Sequence, residues 1–281
     1  MLALAVASIP SAGTSAAAAA FVVNSTGTAT DPRPGDGVCA TSTGVCTLRA
    51  AIHESNVLVG AQTVELPAGT YPSSTPPGSS NDIGKGDLDI TDGMTINGAG
   101  AGSTVIDGRG VDRLLEVHPE AGDVTLPDLT LRGGSHPESG GGILTTSGGG
   151  VTLARSLVLD NQATGAWRTP GDGSVTVDSS KVSGNYSASG GAGLANSGRG
   201  TLVVIGSTIS GNLSDGDGGA IDNAGEGDLT VIATTLSGNV ASGEGGAVNS
   251  AGKADARIAS SAVSTTSRTT AAACTRAATA S

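Results

Sequence analysis

Aliphatic residues recur at a fixed spacing from Val124 onward. The chain divides into blocks that begin 27 residues apart, apart from one step of 24 residues. The blocks begin at Val124, Val151, Val175, Leu202, Leu229 and Ala256. The eighth residue of every block is aliphatic, namely Leu131, Val158, Val182, Ile209, Leu236 and Val263. In four blocks the twentieth residue is aliphatic and follows a pair containing glycine, namely Ile143, Leu194, Ile221 and Val248. A fixed period of roughly 20–50 residues is typical of stacked repeat proteins.

Each block reads as three short extended segments separated by turns. Leu229 and Val231 flank Thr230, which is the alternation of a strand. A leucine-rich repeat would need more leucine, and a propeller blade needs about 40 residues or more. We therefore predict an all-β fold, a parallel β-helix with about 27 residues per coil. Equal positions of successive coils would then stack about 4.8 Å apart and form ladders through the core.

Asparagine forms a further column. It occupies the eleventh position of four consecutive blocks, at Asn161, Asn185, Asn212 and Asn239. A side-chain amide carries both donor and acceptor, so stacked asparagines can bond the ones above and below. Asparagine also tolerates the left-handed backbone of a corner. Asn185 and Asn212 match the N-glycosylation pattern as well, but the column continues through the other two without it, which favours the ladder.

The 24-residue block predicts a break in the second aliphatic column. Its twentieth residue is Pro170, and the loop before it contains Trp167 and Arg168. Two interpretations of Trp167 stay open. An exposed indole beside Arg168 could stack on a sugar or anchor a partner, whereas a buried one would fill the gap in the core.

The segments on either side of the repeats differ from them. Residues 47–56 place Leu48, Ala51 and Ile52 on one side of a short helix, with Thr47 as its N-cap. A helix across the end of a β-helix would block its open strand edges. We predict an N-terminal cap segment at residues 21–60 and the β-helix at residues 61–265. Residues 266–281 abandon the repeat, and we expect a disordered or aberrant tail.

Composition and charge favour an exported protein. Residues 1–20 combine an apolar run with an Ala-x-Ala end before Phe21, which is typical of a secretory signal, although no Lys or Arg precedes the run. We therefore expect a secreted or cell-surface location. The formal net charge of −11 argues against a nucleic-acid partner, and no later segment is long enough to span a membrane.

Cys39 and Cys46 lie in a turn-rich stretch. An oxidising compartment would let them pair, and we favour this disulfide over free thiols. Zinc would need two further ligands, and only His53 is near. No cofactor is predicted.

The sequence offers few candidates for catalysis. A β-helix that cleaves polysaccharide would need clustered carboxylates with a basic residue, or two carboxylates flanking the bond. Asp107, Arg109 and Arg132 are the candidates, but the first two lie in a turn sequence and Arg132 is expected to face solvent. No two aspartates of the blocks stack on one another, and no histidine lies in an acid-rich strand. We predict no catalytic residues.

A calcium site is also weighed at Asp215, Asp217 and Asp222, which lie near glycines in one loop. Oxygen-rich loops of this kind can bind Ca²⁺. The equivalent loops of neighbouring blocks hold one acidic residue or none. We therefore interpret the loop as a polar turn and predict no metal site.

Two stretches carry a family resemblance. DGVCATSTGVCTLRAAIHESN resembles the N-terminal segment of CSLREA-domain proteins, and DLDITDGMTINGAGAGSTVIDG is similar to its usual continuation. The SGN and GGA(I/V) repeats resemble those of polymorphic surface proteins. The resemblance covers residues 21–265 and implies a secreted bacterial protein whose β-helix is right-handed. It brings no catalytic residues.

Ala50 departs from that family, which has Glu at this position. With Thr47 as N-cap, residue 50 is the third helical residue, where Glu would complete a capping box. This predicts that Ala50→Glu stabilises the protein.

Together these features predict a secreted or cell-surface, adhesin-like scaffold without catalytic activity. It would bind polysaccharide, cell wall or a surface protein. The alternative is a polysaccharide lyase or glycoside hydrolase that acts on an acidic polysaccharide.

Overall fold

The chain folds as a parallel β-solenoid. The computed structural model describes residues 19–73, 86–137, 139–146, 148–163, 165–252, 254–264 and 267–268. Within these ranges every strand pairing is parallel, and the one helix is α1 (Leu48–Val57). Strands pair with the strands of the next coil about 27 residues away, as Leu202 does with Leu229. The predicted all-β, parallel β-helix is therefore confirmed.

The strands are short, and their bounds follow in chain order. The first fourteen are β1 (Ala20–Val22), β2 (Gln62–Leu66), β3 (Gly69–Pro72), β4 (Leu88–Ile90), β5 (Met94–Gly98), β6 (Thr104–Asp107), β7 (Leu115–Val117), β8 (Val124–Pro127), β9 (Thr130–Arg132), β10 (Ile143–Thr145), β11 (Val151–Ala154), β12 (Leu157–Leu159), β13 (Gln162–Ala163) and β14 (Trp167–Thr169). The others are β15 (Val175–Asp178), β16 (Lys181–Ser183), β17 (Tyr186–Ser187), β18 (Leu194–Asn196), β19 (Leu202–Ile205), β20 (Thr208–Ser210), β21 (Leu213–Ser214), β22 (Ile221–Asn223), β23 (Leu229–Ile232), β24 (Thr235–Ser237), β25 (Val240–Ala241), β26 (Val248–Asn249), β27 (Ala256–Ala259), β28 (Ala262–Ser264) and β29 (Ser267–Arg268).

These strands form four sheets that run along the solenoid. The nine-stranded sheet has the order β1-β2-β5-β8-β11-β15-β19-β23-β27, and the eight-stranded sheet β28-β24-β20-β16-β12-β9-β6-β3. The seven-stranded sheet has the order β26-β22-β18-β14-β10-β7-β4, and the five-stranded sheet β13-β17-β21-β25-β29. The coil that begins with β15 visits all four in turn. The sequence predicts three segments per coil and misses the fourth, because a strand of two residues carries no alternation.

The predicted aliphatic columns form the core. Leu131, Val158, Val182, Ile209 and Leu236 lie one above another in the eight-stranded sheet and expose no surface. Ile143, Leu194, Ile221 and Val248 are buried in the seven-stranded sheet. Burying one such side chain stabilises by about 1.5–3 kcal/mol. Val263 continues the first column on the last rung and is 47% exposed.

The predicted break in the second column does not occur. Trp167 pairs with Ile143 on one side and Leu194 on the other, and it is 1% exposed. Its indole Nε1 donates to Thr145 Oγ1 at 2.9 Å. The three missing residues fall between Asn161 and Trp167, so the loop shortens and the column continues. Of the two interpretations of Trp167, the buried one is correct.

The asparagine column is a buried hydrogen-bonded ladder. Asn185 Nδ2 donates to Val158 O at 3.1 Å and to Asn212 Oδ1 at 2.9 Å. Its Oδ1 accepts from the backbone N–H of Asn161 at 2.9 Å and from Asn161 Nδ2 at 3.1 Å. All four hydrogen-bonding positions of the amide are therefore used. Asn212 donates in the same way to Asn239.

The left-handed backbone at this corner belongs to the residue before each asparagine, which corrects the role expected for the asparagine itself. These residues are Asp160, Gly184, Gly211 and Gly238, with φ between 54° and 68°. The asparagine side chain is thereby left to bond the carbonyl and amide groups of its neighbours.

A second polar ladder turns the corner between the nine-stranded and eight-stranded sheets. Ser180 Oγ accepts from the backbone N–H of Ser156 at 3.0 Å, and Ser207 Oγ from that of Ser180 at 3.1 Å. Thr234 continues the ladder at 3.3 Å. Sequence analysis does not find it, because Ser and Thr are common throughout the repeats and mark no particular column.

The cap segment joins the solenoid directly. Strand β1 pairs with β2 and so forms the first rung of the nine-stranded sheet. Thr47 is the N-cap of α1, as predicted, and its Oγ1 accepts from the backbone N–H of Ala50 at 3.0 Å. Cys39 and Cys46 are joined by a disulfide with an S–S distance of 1.98 Å.

The two ends of the predicted domain boundaries fall largely outside the described residues. Of the expected signal at residues 1–20, only 19 and 20 are described, and Ala20 opens β1. At the other end, β29 pairs with β25, so solenoid pairing continues two residues into the expected tail. Residues 269–281 lie outside the described residues.

The predicted benefit of Ala50→Glu is contradicted, because Ala50 has no exposed surface. The variant should lower the free energy of unfolding by about 1–3 kcal/mol for overpacking, and by more for burying a carboxylate. Denaturant unfolding measures this. Val59→Glu, at a residue 88% exposed, is the control and should unfold like the parent. An unfolding midpoint of Ala50→Glu at or above that of the parent would contradict the buried environment.

Asn185→Ala tests the amide ladder. It should lower the free energy of unfolding by about 3 kcal/mol or more, since groups on Asn161 and Val158 lose their partners at roughly 1–3 kcal/mol each. Lys181→Ala, exposed on the same coil, should change it by less than about 0.5 kcal/mol. Equal unfolding midpoints for the two variants would show that the ladder contributes nothing.

Candidate functional site

The three catalytic candidates of the sequence form a surface ion pair and a turn. Arg132 donates through Nε and Nη2 to Asp107 Oδ2, at 3.0 and 2.9 Å. Asp107 Oδ1 accepts from the backbone N–H of Arg109, whose φ is 54°. Both carboxylate oxygens are therefore engaged in holding adjacent coils and a turn. This arrangement is structural and leaves no carboxylate oxygen facing a substrate without a partner.

The three aspartates weighed for calcium bond to separate partners. Asp215 accepts from the hydroxyl of Tyr186. Asp217 Oδ1 accepts from the backbone N–H of Glu244 at 2.5 Å, and Asp222 Oδ1 from Asn249 Nδ2 at 2.9 Å. They do not converge on a common point among the described residues.

A different cluster converges at the β4 edge of the seven-stranded sheet. Asp89 of β4 and Glu116 of β7 are paired neighbours on the outer face of this sheet. His118 follows β7, and its Nε2 lies 2.8 Å from Asp89 Oδ1. The ligand atoms of these three residues all lie within 4.8 Å of one another. No other group of this kind is present in the described part of the chain.

Charged neighbours surround this cluster. Arg113 Nη1 lies 3.2 Å from Asp87 Oδ2 and also bonds to Glu116. Burial raises the pKa of Asp87 to about 7, although Arg113 acts in the opposite direction. The hydrogen bond to Asp89 raises the pKa of His118. The site is largely buried, with His118 as its most exposed member at 20%.

The cap helix fixes the backbone beneath the cluster. Asn56 Nδ2 donates to Asp89 O at 2.8 Å, and Asn56 Oδ1 accepts from the backbone N–H of Thr91 at 2.9 Å. The amide of Asn56 thus bonds the edge of β4 as another strand would. Arg49 Nη1 donates to Asp87 O at 2.9 Å. The helix therefore closes the sheet edge and positions Asp89 at the same time.

Sequence analysis misses this cluster, and it wrongly places no histidine near acidic strands. The signal is present. Asp89 and Glu116 are 27 residues apart, the period of the repeats, and His118 is two residues beyond Glu116. The repeat reasoning begins at Val124, so the two earlier coils were not tested for stacked acids.

A second feature lies on the outer face of the five-stranded sheet. Gln162, Tyr186, Leu213 and Val240 stack there as one column, which we call the exposed column. Leu213 is 45% exposed. Beside the start of the column is a depression of about 220 Å³, lined by Ser135, His136, Pro137, Gln162, Ala163, Tyr186 and Ala188. An aromatic ring, aliphatic groups and hydrogen-bonding groups therefore share one surface.

Comparison with known proteins adds no relative. No protein-family model, no curated protein and no solved structure matches this chain. Among the described residues, no helix has the length and apolar character needed to cross a membrane. The fold and the geometry of its sites are therefore what support a function.

Asp222 gives a prediction for the dependence of stability on pH. Burial raises the pKa of this carboxyl, so ionisation disfavours the folded state once the pH exceeds the unfolded pKa of about 3.9. The Asp222→Asn variant keeps an oxygen for Asn249 and avoids this cost. It should unfold at a higher midpoint than the parent at pH 7, and the difference should vanish near pH 3.

Denaturant unfolding at several pH values measures this difference. Asp255→Asn removes an exposed carboxylate and is the control for losing one negative charge. A stability gain of Asp222→Asn that stays constant from pH 3 to pH 7 would contradict the explanation.

Proposed function

We propose that this protein is a secreted or cell-surface, adhesin-like β-helix scaffold without catalytic activity. Its side would bind glycan, cell wall or a surface protein, and the exposed column favours glycan. The observation that carries this proposal is the column itself, in which Tyr186, Leu213 and Val240 stand next to the depression at Gln162.

The chemistry of the exposed column suits a sugar polymer. Tyr186 offers an aromatic face, and its hydroxyl is held by the carboxylate of Asp215. Gln162 adds a side-chain amide at the same depression. An apolar face beside a few fixed polar groups is typical of small-molecule and saccharide sites. The column repeats at the strand spacing of about 4.8 Å, which suits an extended ligand lying along the solenoid.

The disulfide supports the proposed location. Disulfides persist in oxidising compartments and are rare in the cytosol. Cys39 and Cys46 close a short loop in the cap segment, with a Cα–Cα distance of 5.2 Å. A secreted or cell-surface protein would keep this link.

The absence of catalysis is supported by the bonds that the candidate residues make. Asp107 and Arg132 bond to each other, and Asp107 also holds the turn at Arg109. Cleavage of a glycosidic bond needs a carboxylate that can donate or accept a proton at the substrate. A lyase or hydrolase acting on acidic polysaccharide remains the alternative that the assay below distinguishes.

Tyr186→Ala tests the proposal. The full chain is titrated with a panel of neutral and acidic polysaccharides, and binding is measured by calorimetry or on a glycan array. Loss of the ring should weaken binding about tenfold, which is about 1.4 kcal/mol. Tyr186→Phe keeps the ring and should bind nearly as well as the parent.

Ile205→Ala is the matched control, because Ile205 is an exposed aliphatic residue on the nine-stranded sheet. It should bind like the parent. Binding that survives Tyr186→Ala unchanged would remove the exposed column as the glycan surface. Release of unsaturated or reducing ends, abolished in Asp107→Asn, would replace the scaffold proposal by the enzyme.

A further inference from the structure

We propose that Asp89, Glu116 and His118 bind a divalent transition-metal ion of the zinc class. Two of the three residues project from neighbouring strands of the seven-stranded sheet, and His118 follows the second of these strands. The ion would therefore link two successive coils next to the cap helix. This site is separate from the exposed column and does not depend on the proposed glycan binding.

The spacing of the ligand atoms fits such an ion. Zinc binds an imidazole nitrogen at about 2.0–2.1 Å and a carboxylate oxygen at about 2.0–2.2 Å, so tetrahedral ligands lie roughly 3–4 Å apart. In this cluster the imidazole nitrogen and the carboxylate oxygens all lie within 4.8 Å of one another. His118 Nε2 and Asp89 Oδ1 are already 2.8 Å apart. Small side-chain rotations would complete the geometry.

One oxygen of the cluster has no hydrogen-bond partner. Asp89 is 4% exposed, and among the described residues its Oδ2 is a buried oxygen without any partner. Burying a carboxylate oxygen in this state is costly. A bound cation would satisfy it, which makes this oxygen an independent indication of a ligand.

The nearby arginine does not supply that partner. Arg113 Nη1 bonds to Asp87 and Glu116, whereas the bond made by the Asp89 carboxylate is to His118. A metal ion would replace the single hydrogen bond between His118 and Asp89 by one metal bond to each residue.

The ligand types select the class of ion. Ca²⁺ takes six to eight oxygen ligands, and Mg²⁺ prefers oxygen in octahedral geometry. One imidazole with two carboxylates is instead typical of zinc and neighbouring transition metals. His118 and Glu116 are 20% and 14% exposed at their side chains, so an ion can reach the site from solvent.

The test is calorimetric titration of the full, chelator-treated protein with Zn²⁺. We expect one ion per chain and a rise in melting temperature on binding. His118→Gln should weaken binding by more than about tenfold, a loss at least as large as that typical of removing an outer-shell partner. His136→Gln is the matched control and should bind Zn²⁺ like the parent.

Co²⁺ provides a second measurement that does not depend on stability. Its visible absorption spectrum should indicate nitrogen and oxygen ligation in the parent and should change in His118→Gln but not in His136→Gln. Glu116→Gln, which alters the carboxylate that is more exposed than Asp89, guards against a variant that fails to fold. It should weaken Zn²⁺ binding while keeping the parent's circular dichroism.

Three outcomes would overturn the proposal. They are the absence of Zn²⁺ binding by the parent, binding that is equal in His118→Gln and the parent, and binding of Ca²⁺ that is tighter than that of Zn²⁺.

Discussion

Parallel pairing between residues one coil apart is the constraint on which this structure depends. It places like side chains on one another, so an aliphatic position becomes a buried column and an asparagine position becomes a chain of amide hydrogen bonds. A coil cannot bury these columns alone, because each needs a neighbour above and below. Shifting the register by one residue would turn Val182 and its column toward solvent. The repeat period is therefore the feature that selection must preserve.

The repeating columns could be predicted because each is marked by a residue type that is uncommon elsewhere in the block. Asn185 and its counterparts are conspicuous among Gly, Ser and Asp, and so are the aliphatic residues. The ladder through Ser180 could not be predicted, since serine also fills the exposed turns. Trp167 was misjudged for a related reason. Counting from the block start assigns its column position to another residue, whereas the strand pairing assigns it to the tryptophan.

The cluster at Asp89 shows a different limit. Its residues obey the 27-residue period, but they lie in coils whose other positions are less regular, so the pattern is visible only once the register is known. Its burial also depends on the cap helix, which reaches β4 through Asn56 and Arg49. Contacts between a helix and a distant strand leave no periodic trace in the sequence. Chemistry of this kind therefore has to be found in the folded chain.

The shortened coil reveals where the solenoid can change in length. Between the asparagine corner and the seven-stranded sheet, a regular coil uses eight residues and the coil containing Trp167 uses five. Both lengths deliver the next strand in register, so the segment acts as a spacer whose size is decoupled from the scaffold. Foreign peptides grafted at this point, for example after Gly216, would extend from one flank and leave the stacking intact. The molecule is thus suited to displaying variable loops on an invariant frame.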